Sequence, residues 1–189
     1  SALCETVIVP VADGGEGSLE ALSDGLEGRI IELSVTGPVG KRIKAKYAVL
    51  NDNTAVVEMA AASGITLETD KNALRSSSYG TGELILDAME KGVRSFIIGI
   101  GGSATTDGGT GMLSALGAEL YGAEGNLLYP CGESLIHIEK IDLSALDKRL
   151  SECEFTVLCD VRNPLYGEKG AACVFSPQKG ADENEVKLL

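Results

Sequence analysis

Twice in 189 residues the chain leaves an apolar run of strand length through the same five-residue device, Asp-Gly-Gly-x-Gly, and then takes up helical spacing. The first copy is Asp13-Gly14-Gly15-Glu16-Gly17, after "ETVIVPVA". The second, Asp107-Gly108-Gly109-Thr110-Gly111, closes the stretch "GIGGSATTDGGTG" that follows "SFIIGI". Glycine loses more backbone freedom on folding than any other residue, so gathering it at strand-to-helix turns marks special dihedrals or close backbone approach. An aspartate before a helix caps a free amide, and Glu16 three residues after Asp13 completes a capping box. Capping accounts for the carboxylates but not for so many glycines. Consecutive glycine amides at a helix start also form a cradle for phosphate or carboxylate.

Such turns belong to an α/β chain, and the composition agrees: 44% hydrophobic residues, 24 glycines, no Trp and few aromatics leave packing to Ala, Val, Ile and Leu. The length suits one domain, or one and a part. A net charge of -12 argues against nucleic acid or an anionic membrane as partner. The one basic run, "GKRIKAK" at 40–46, reads as a solvated strand edge. Cys4, Cys131, Cys153, Cys159 and Cys173 form an odd set without a C-x-x-C pair, which reads as buried, reduced thiols in a cytoplasmic protein. His137 is the lone histidine and reads as a packing or surface residue, which argues against a His/Cys metal site and a Ser-His-Asp triad. The residues predict no secretory leader and contain no apolar run of membrane-spanning length; the start reads as a chain already in progress and "GADENEVKLL" as the opening turns of a helix.

Along the chain, "ETVIVPVA" predicts a strand and the residues from Ser18 to Leu22 a helix that Gly25 and Gly28 end. "RIIELSVTG", "KRIKAKYAVL" and "TAVVEMA" predict three antiparallel strands joined by the hairpin turns "GPVG" and "NDN". "SYGTGELILDAMEKG" predicts a helix with Thr81 as its cap, and "RSFIIGI" a buried strand. A brief helix at "GTGMLSAL", an extended "GAELYG", irregular or helical structure over 123–150, and strands at "EFTVLCDV" and "AACVF" follow. The expected fold is α/β: a mixed β-sheet with antiparallel hairpins, flanking helices and glycine-rich strand-to-helix turns.

Gly99-x-Gly101-x-x-Ala104 after a strand, with Glu119 about 20 residues on, superficially meets the dinucleotide fingerprint. That fingerprint needs the helix to open within the glycine turn, whereas "TTDGGTG" intervenes. No G-K-[ST] occurs, so a Walker A loop is excluded. Asp160 ends a strand ahead of Asn163-Pro164, a position that suits an Asx turn and also a ligand group at a sheet's carboxyl edge. "SSSYGTGE" places hydroxyls at another helix start.

Taken together, "VPVADGGEGSLEAL", "AVVEMAAASGI", "SSSYGTGELI", "IIGIGGSATTDGGTGMLSALGAEL", "CDVRNPLYGEKGAA" and "FSPQKGA" resemble the glycerate kinases of the bacterial glycerate 2-kinase type over nearly the whole chain. Thr106, Ser76 and Ser77 depart from the family's common pattern but stay small and polar. The resemblance implies ATP- and Mg²⁺-dependent phosphorylation of D-glycerate, with 2-phosphoglycerate as the favoured product. It also implies that 1–189 is the inner α/β domain of a two-domain enzyme, with 1–27 a candidate edge of the outer nucleotide-binding domain. The family's "DSFK"-like loop and "GEGRxD"-like motif do not occur, so a fragment inactive by itself is expected. On this resemblance Asp13, Asp107 and Asp160 are the candidate catalytic carboxylates, and Asp13, Glu16 and Asp160 the candidate metal ligands. Gly14, Gly15, Glu16, Gly101, Gly102, Ser103, Gly108, Gly109, Arg162 and Asn163 are the candidate substrate- or phosphate-binding residues, with Lys169 a further cation near the "NPLYG" turn. The alternatives are an NAD-binding oxidoreductase domain and a non-catalytic ligand-binding module.

Overall fold

The computed structural model describes Gly17, Leu19 and residues 28–189. The strand predicted at "ETVIVPVA" and the first Asp-Gly-Gly-x-Gly up to Glu16 lie outside the described residues. Of the helix predicted after it, Leu19 is described, helical and fully buried.

Three β-rich runs form an antiparallel meander. β1 (Arg29–Thr36) pairs with β2 (Arg42–Val49) along its whole length, and β2 pairs with β3 (Thr54–Glu58) through Ala48–Val56 and Val49–Ala55. Both turns follow their composition. The amide of Gly37 donates to the Lys41 carbonyl at 2.7 Å, with Gly40 at φ 85°. The amide of Leu50 donates to the Thr54 carbonyl at 2.9 Å around Asn53, whose φ of 64° is a left-handed value that asparagine tolerates.

Beyond β3 the sheet turns parallel. The chain runs through α1 (Met59–Ser63) and α2 (Tyr79–Glu90) to β4 (Ser95–Gly99), which lies parallel to β3. It continues through α3 (Thr110–Ala115), β5 (Glu119–Tyr121) and β6 (Lys140–Asp142) to β7 (Glu154–Leu158), parallel to β4. Parallel neighbours cannot be joined by a tight turn, so each needs such a crossover. The main sheet has the order β1-β2-β3-β4-β7, while β5 and β6 pair separately. Hairpins and crossovers therefore share one mixed sheet, as expected. β3 is buried at all five positions, the pattern of a strand covered on both faces. α2 lays Leu84, Ile85, Ala88 and Met89 into the same core as Tyr47, Val56, Val57 and Phe96. Each large side chain so buried contributes about 1.5–3 kcal/mol. The Tyr47 hydroxyl donates to Asp87 Oδ2 at 2.6 Å and ties β2 to α2.

Some local expectations change. "AACVF" is not a strand but α4 (Ala171–Phe175): a five-residue apolar run has no periodicity that separates the two states, and here helical bonds such as Val174 to the Gly170 carbonyl close it. Ser78, not Thr81, stands at the N-cap of α2; Thr81 lies inside the helix, buried, its hydroxyl 2.9 Å from that of Ser63. Of 123–150, only short 3-10 turns and β6 are regular. "GADENEVKLL" does open a helix, α5 (Glu183–Leu188), and Asp182 and Glu185 complete a capping box there.

The basic run lies on β2, which is interior in strand order. Its ladder to β3 spans only two residue pairs, so Lys41, Arg42 and Lys44 still face solvent, with Lys44 2.8 Å from Glu32 and Arg42 2.6 Å from Glu83. His137 is exposed. Cys131, Cys153, Cys159 and Cys173 are free thiols, but only Cys131 is buried, and Cys159 and Cys173 are exposed where burial was expected. Among the described residues no helix is long and apolar enough to cross a membrane.

Candidate functional site

The parallel strands β3, β4 and β7 end together, since Glu58 is opposite Gly99 and Gly99 opposite Leu158. α1, the glycine-rich loop and the Cys159-Asp160 segment all leave from this edge, where open α/β sheets gather ligand-binding groups.

The loop is pinned at its middle. The amide of Ile65 donates to the Gly102 carbonyl at 2.9 Å, and that of Ala104 to the Ser63 carbonyl at 2.8 Å. Gly102, Gly108 and Gly109 take φ values of 70°, 58° and 79°, which strain any residue with a Cβ. Gly111 is glycine for another reason. A Cβ there would lie 2.3 Å from Ser77 Oγ and 2.6 Å from the Tyr79 amide nitrogen, so the starts of α2 and α3 could not approach.

Asp107 occupies that junction, only 1% exposed. Its Oδ2 accepts from the Ser78 amide at 2.7 Å, the Ser78 hydroxyl at 2.7 Å and the Gly111 amide at 3.1 Å, while Oδ1 accepts from the Gly109 amide at 3.1 Å. Ser78 Oγ in turn accepts from the Met112 amide at 2.9 Å. One carboxylate thus serves two helix starts, whose amides and dipoles both favour negative charge. This alters the cradle expected at 107–111. The amides of Gly109, Gly111 and Met112 are committed inside the protein, and the anion at the head of α3 is the chain's own aspartate. The exposed part of the loop that stays open is Gly108 on one side and Gly101 to Ser103 on the other, where Gly102 is exposed and Ser103 half-buried.

A cation absent from the expected set meets this loop. Lys179 ends the turn Pro177–Lys179, and its Nζ donates to Ser103 Oγ at 2.8 Å and to the Thr105 carbonyl at 2.6 Å. Burial pulls the ammonium down to about 8, against the opposing pull of Asp107. The sequence carried only one hint of it, its place between Pro177 and Gly180 in "FSPQKGA". Gly180 itself has φ 94°, and a Cβ there would lie 2.4 Å from the Lys71 carbonyl oxygen, so the turn is seated tightly. A second residue outside the expected set is Glu58, a buried carboxylate at the end of β3 whose Oε1 accepts from the Leu19 amide at 2.6 Å. Thr106 Oγ1 is buried without a hydrogen-bond partner among the described residues.

The remaining expected residues are placed differently. Asp160, Arg162, Asn163 and Lys169 are all exposed, and Asn163 Nδ2 donates to the Lys169 carbonyl at 3.2 Å, closing the "NPLYGEK" loop. Asp13, Gly14, Gly15 and Glu16 lie outside the described residues. Among the described residues no group of three His, Cys, Asp or Glu side chains could enclose a metal. Mg²⁺ does not require such a cage, since it keeps waters and takes one or two carboxylates beside substrate phosphates. Asp160, exposed at the strand end, fits that requirement; Asp107, its oxygens held by four protein donors, does not. Elsewhere, a cleft of about 600 Å³ is lined by Lys41 and Arg75 but also by Glu68, Asp70 and Glu133, a mixture that favours no single charge.

The sequence model described as "Glycerate kinase family" matches residues 1–189. The glycerate 2-kinase of Escherichia coli strain K12 is 51% identical over 97% of this chain and 49% of its own length. A glycerate kinase of Haemophilus influenzae is 49% identical over the same shares. A crystal structure from Salmonella typhimurium LT2, described as a glycerate kinase 2, superposes with a TM-score of 0.91 at 50% identity, over 95% of this chain and 49% of that one. The chain spans about half the length of the curated relatives it matches.

Proposed function

We infer that this chain, which belongs to the glycerate kinase family, forms one wall of the active site of an ATP-dependent kinase that phosphorylates D-glycerate, 2-phosphoglycerate being the favoured product. The observation that carries this reading is the 51% identity to a glycerate 2-kinase across 97% of the chain. The 189 residues correspond to the inner α/β domain of a two-domain enzyme, with 1–27 a candidate edge of its outer nucleotide-binding domain, and turnover belongs to the full-length protein. A net charge of -12 and free thiols suit a cytoplasmic enzyme of small anionic metabolites rather than a nucleic-acid or membrane protein.

Transfer to a secondary alcohol needs the hydroxyl oxygen in line with the γ-phosphorus: the new P–O bond forms, the bond to the ADP oxygen breaks, and the hydroxyl proton passes to a base. Most of the rate comes from positioning and charge stabilisation. The pinned loop supplies position, its Gly101–Ser103 and Gly108 segments facing outward for phosphate or the glycerate carboxylate. Asp160, Asp13 and Glu16 are the carboxylates for Mg²⁺, and Asp160 or Asp13 for the proton. When bound, Mg²⁺ neutralises charge on the phosphates. Asp107 contributes by holding both helix starts, and Arg162 and Asn163 stand beside Asp160 for the substrate anion.

The dinucleotide alternative is not favoured. The helix after Gly99-x-Gly101 opens only at Thr110, and its amides are taken by Asp107 and Ser78. The test is coupled ATP consumption by the full-length protein: ADP is expected to form only when D-glycerate is present, with the product's phosphorus signal identifying the 2-position. NAD binding, or ATP turnover indifferent to glycerate, would overturn the assignment.

A further inference from the structure

We propose that Lys179 is a further cation of this site, an ammonium delivered to the rim of the glycine-rich loop to take an oxyanion of the substrate pair, either the glycerate carboxylate or a phosphoryl oxygen. The choice of anions rests on the kinase reading; the existence of the cation does not.

The argument begins with what surrounds Nζ. An ammonium has three protons to donate, and among the described residues two are used, both on neutral oxygens of the loop, Ser103 Oγ and the Thr105 carbonyl. No carboxylate of the described residues forms an ion pair with it. Among the described residues Asp107 is the charged group acting on it, and the oxygens of that carboxylate are already engaged by four other donors. A positive charge half withdrawn from water and given, among the described residues, only neutral partners is costly, and the cost falls when an anion arrives. Burial lowers its proton affinity, and Asp107 opposes that shift without cancelling it.

Placement supplies the second part. The partners of Lys179 lie on the stretch 103–105, directly between the open Gly101–Gly102 segment and Asp107. Lys179 itself is 74 to 76 residues away in sequence, so the contact is built by the fold and not by local geometry. The turn that carries it is fixed from behind, with Ser176 fully buried and Gly180 against the Lys71 backbone. A long side chain meant only for the surface has no need of such seating, because lysine otherwise keeps its head in water.

The test uses the full-length enzyme as wild type, Lys179→Met and Lys179→Arg, each checked for fold by circular dichroism. Titration calorimetry gives dissociation constants for D-glycerate, ADP and inorganic phosphate at pH 7 and pH 9.5. Wild type should bind one of the three more weakly at pH 9.5, by about tenfold, because the free ammonium is lost above about 8. Lys179→Met should lose about 10- to 100-fold at pH 7, the worth of a charge-assisted hydrogen bond, together with the pH dependence. Lys179→Arg should retain binding at both pH values. A loss confined to D-glycerate assigns the contact to its carboxylate, and a loss confined to ADP and phosphate assigns it to a phosphoryl oxygen. Wild-type affinities for all three ligands in Lys179→Met overturn the proposal. If that variant does not fold, Lys179→Arg decides: pH-independent binding supports the contact, and a wild-type pH dependence overturns it. Binding is read without turnover, so a protein that holds these anions through Lys179 yet leaves glycerate unphosphorylated would sink the kinase reading alone.

Discussion

At the scale of single residues, Asp107 carries more structure than a helix cap. Losing one cap costs about 0.5–2 kcal/mol. Asp107 receives four donors from two helix starts inside a nearly inaccessible junction. Removing it leaves those buried neutral donors unpaired, at about 1–3 kcal/mol for each one left unsatisfied. Asp107→Ala should therefore lower the melting temperature of the 189-residue chain by on the order of 10 °C, at about 2–4 °C per kcal/mol for a chain of this size. Calorimetry checks it, and a shift of only a degree or two would return Asp107 to the role of an ordinary cap. The carboxylate was legible in "TDGGTG" as a residue serving a helix start. Its second helix was not, because Ser78 lies 29 residues away.

Among elements, the seam between α2 and α3 explains glycines that the sequence could not sort. A glycine is retained either for its dihedral or for the space beside it, and both look alike in one sequence. Gly108 and Gly109 belong to the first kind, Gly82 and Gly111 to the second, as does Gly80 where α2 meets Thr36 of β1. Gly82 gives a prediction with an unusual sign. In an open helix interior Gly→Ala adds about 0.5–1 kcal/mol of stability. Here the new Cβ would lie 2.4 Å from the Met112 carbonyl oxygen and 2.6 Å from Ala115 Cβ. Gly82→Ala should destabilise by about 1–3 kcal/mol, as overpacked sites do. Urea unfolding measures it, and a gain in stability would mean that the seam yields freely. The strands and hairpins were the legible elements, since alternation in "RIIELSVTG" and turn chemistry at "NDN" act locally. "AACVF" was not, because only the surrounding loop decides between helix and strand for so short a run.

For the whole molecule, the mixed character of the sheet followed from hairpins early in the chain and crossovers later, both visible as patterns, whereas the strand order came from the fold. The site was only partly visible. The glycine-rich loop could be read from its sequence, whereas Lys179 enters it through the fold, from the far side of the segment after β7. Every residue from 159 to 169 is exposed, Arg162 and Lys169 included. Trypsin should cut there first. The piece beyond the cut keeps its own holds: Lys179 on Ser103 and Thr105, Gly180 beside Lys71, and Leu189 beside Gly132. The two products are expected to migrate together on a native gel and to separate in urea; release of the smaller piece without denaturant would show those holds to be too weak. The latch across the glycine-rich loop then has a meaning for how the protein can be built. If the nicked pair holds together, covalent continuity between the sheet and its lysine is dispensable, and separately made fragments should find one another and restore the assembled wall by complementation.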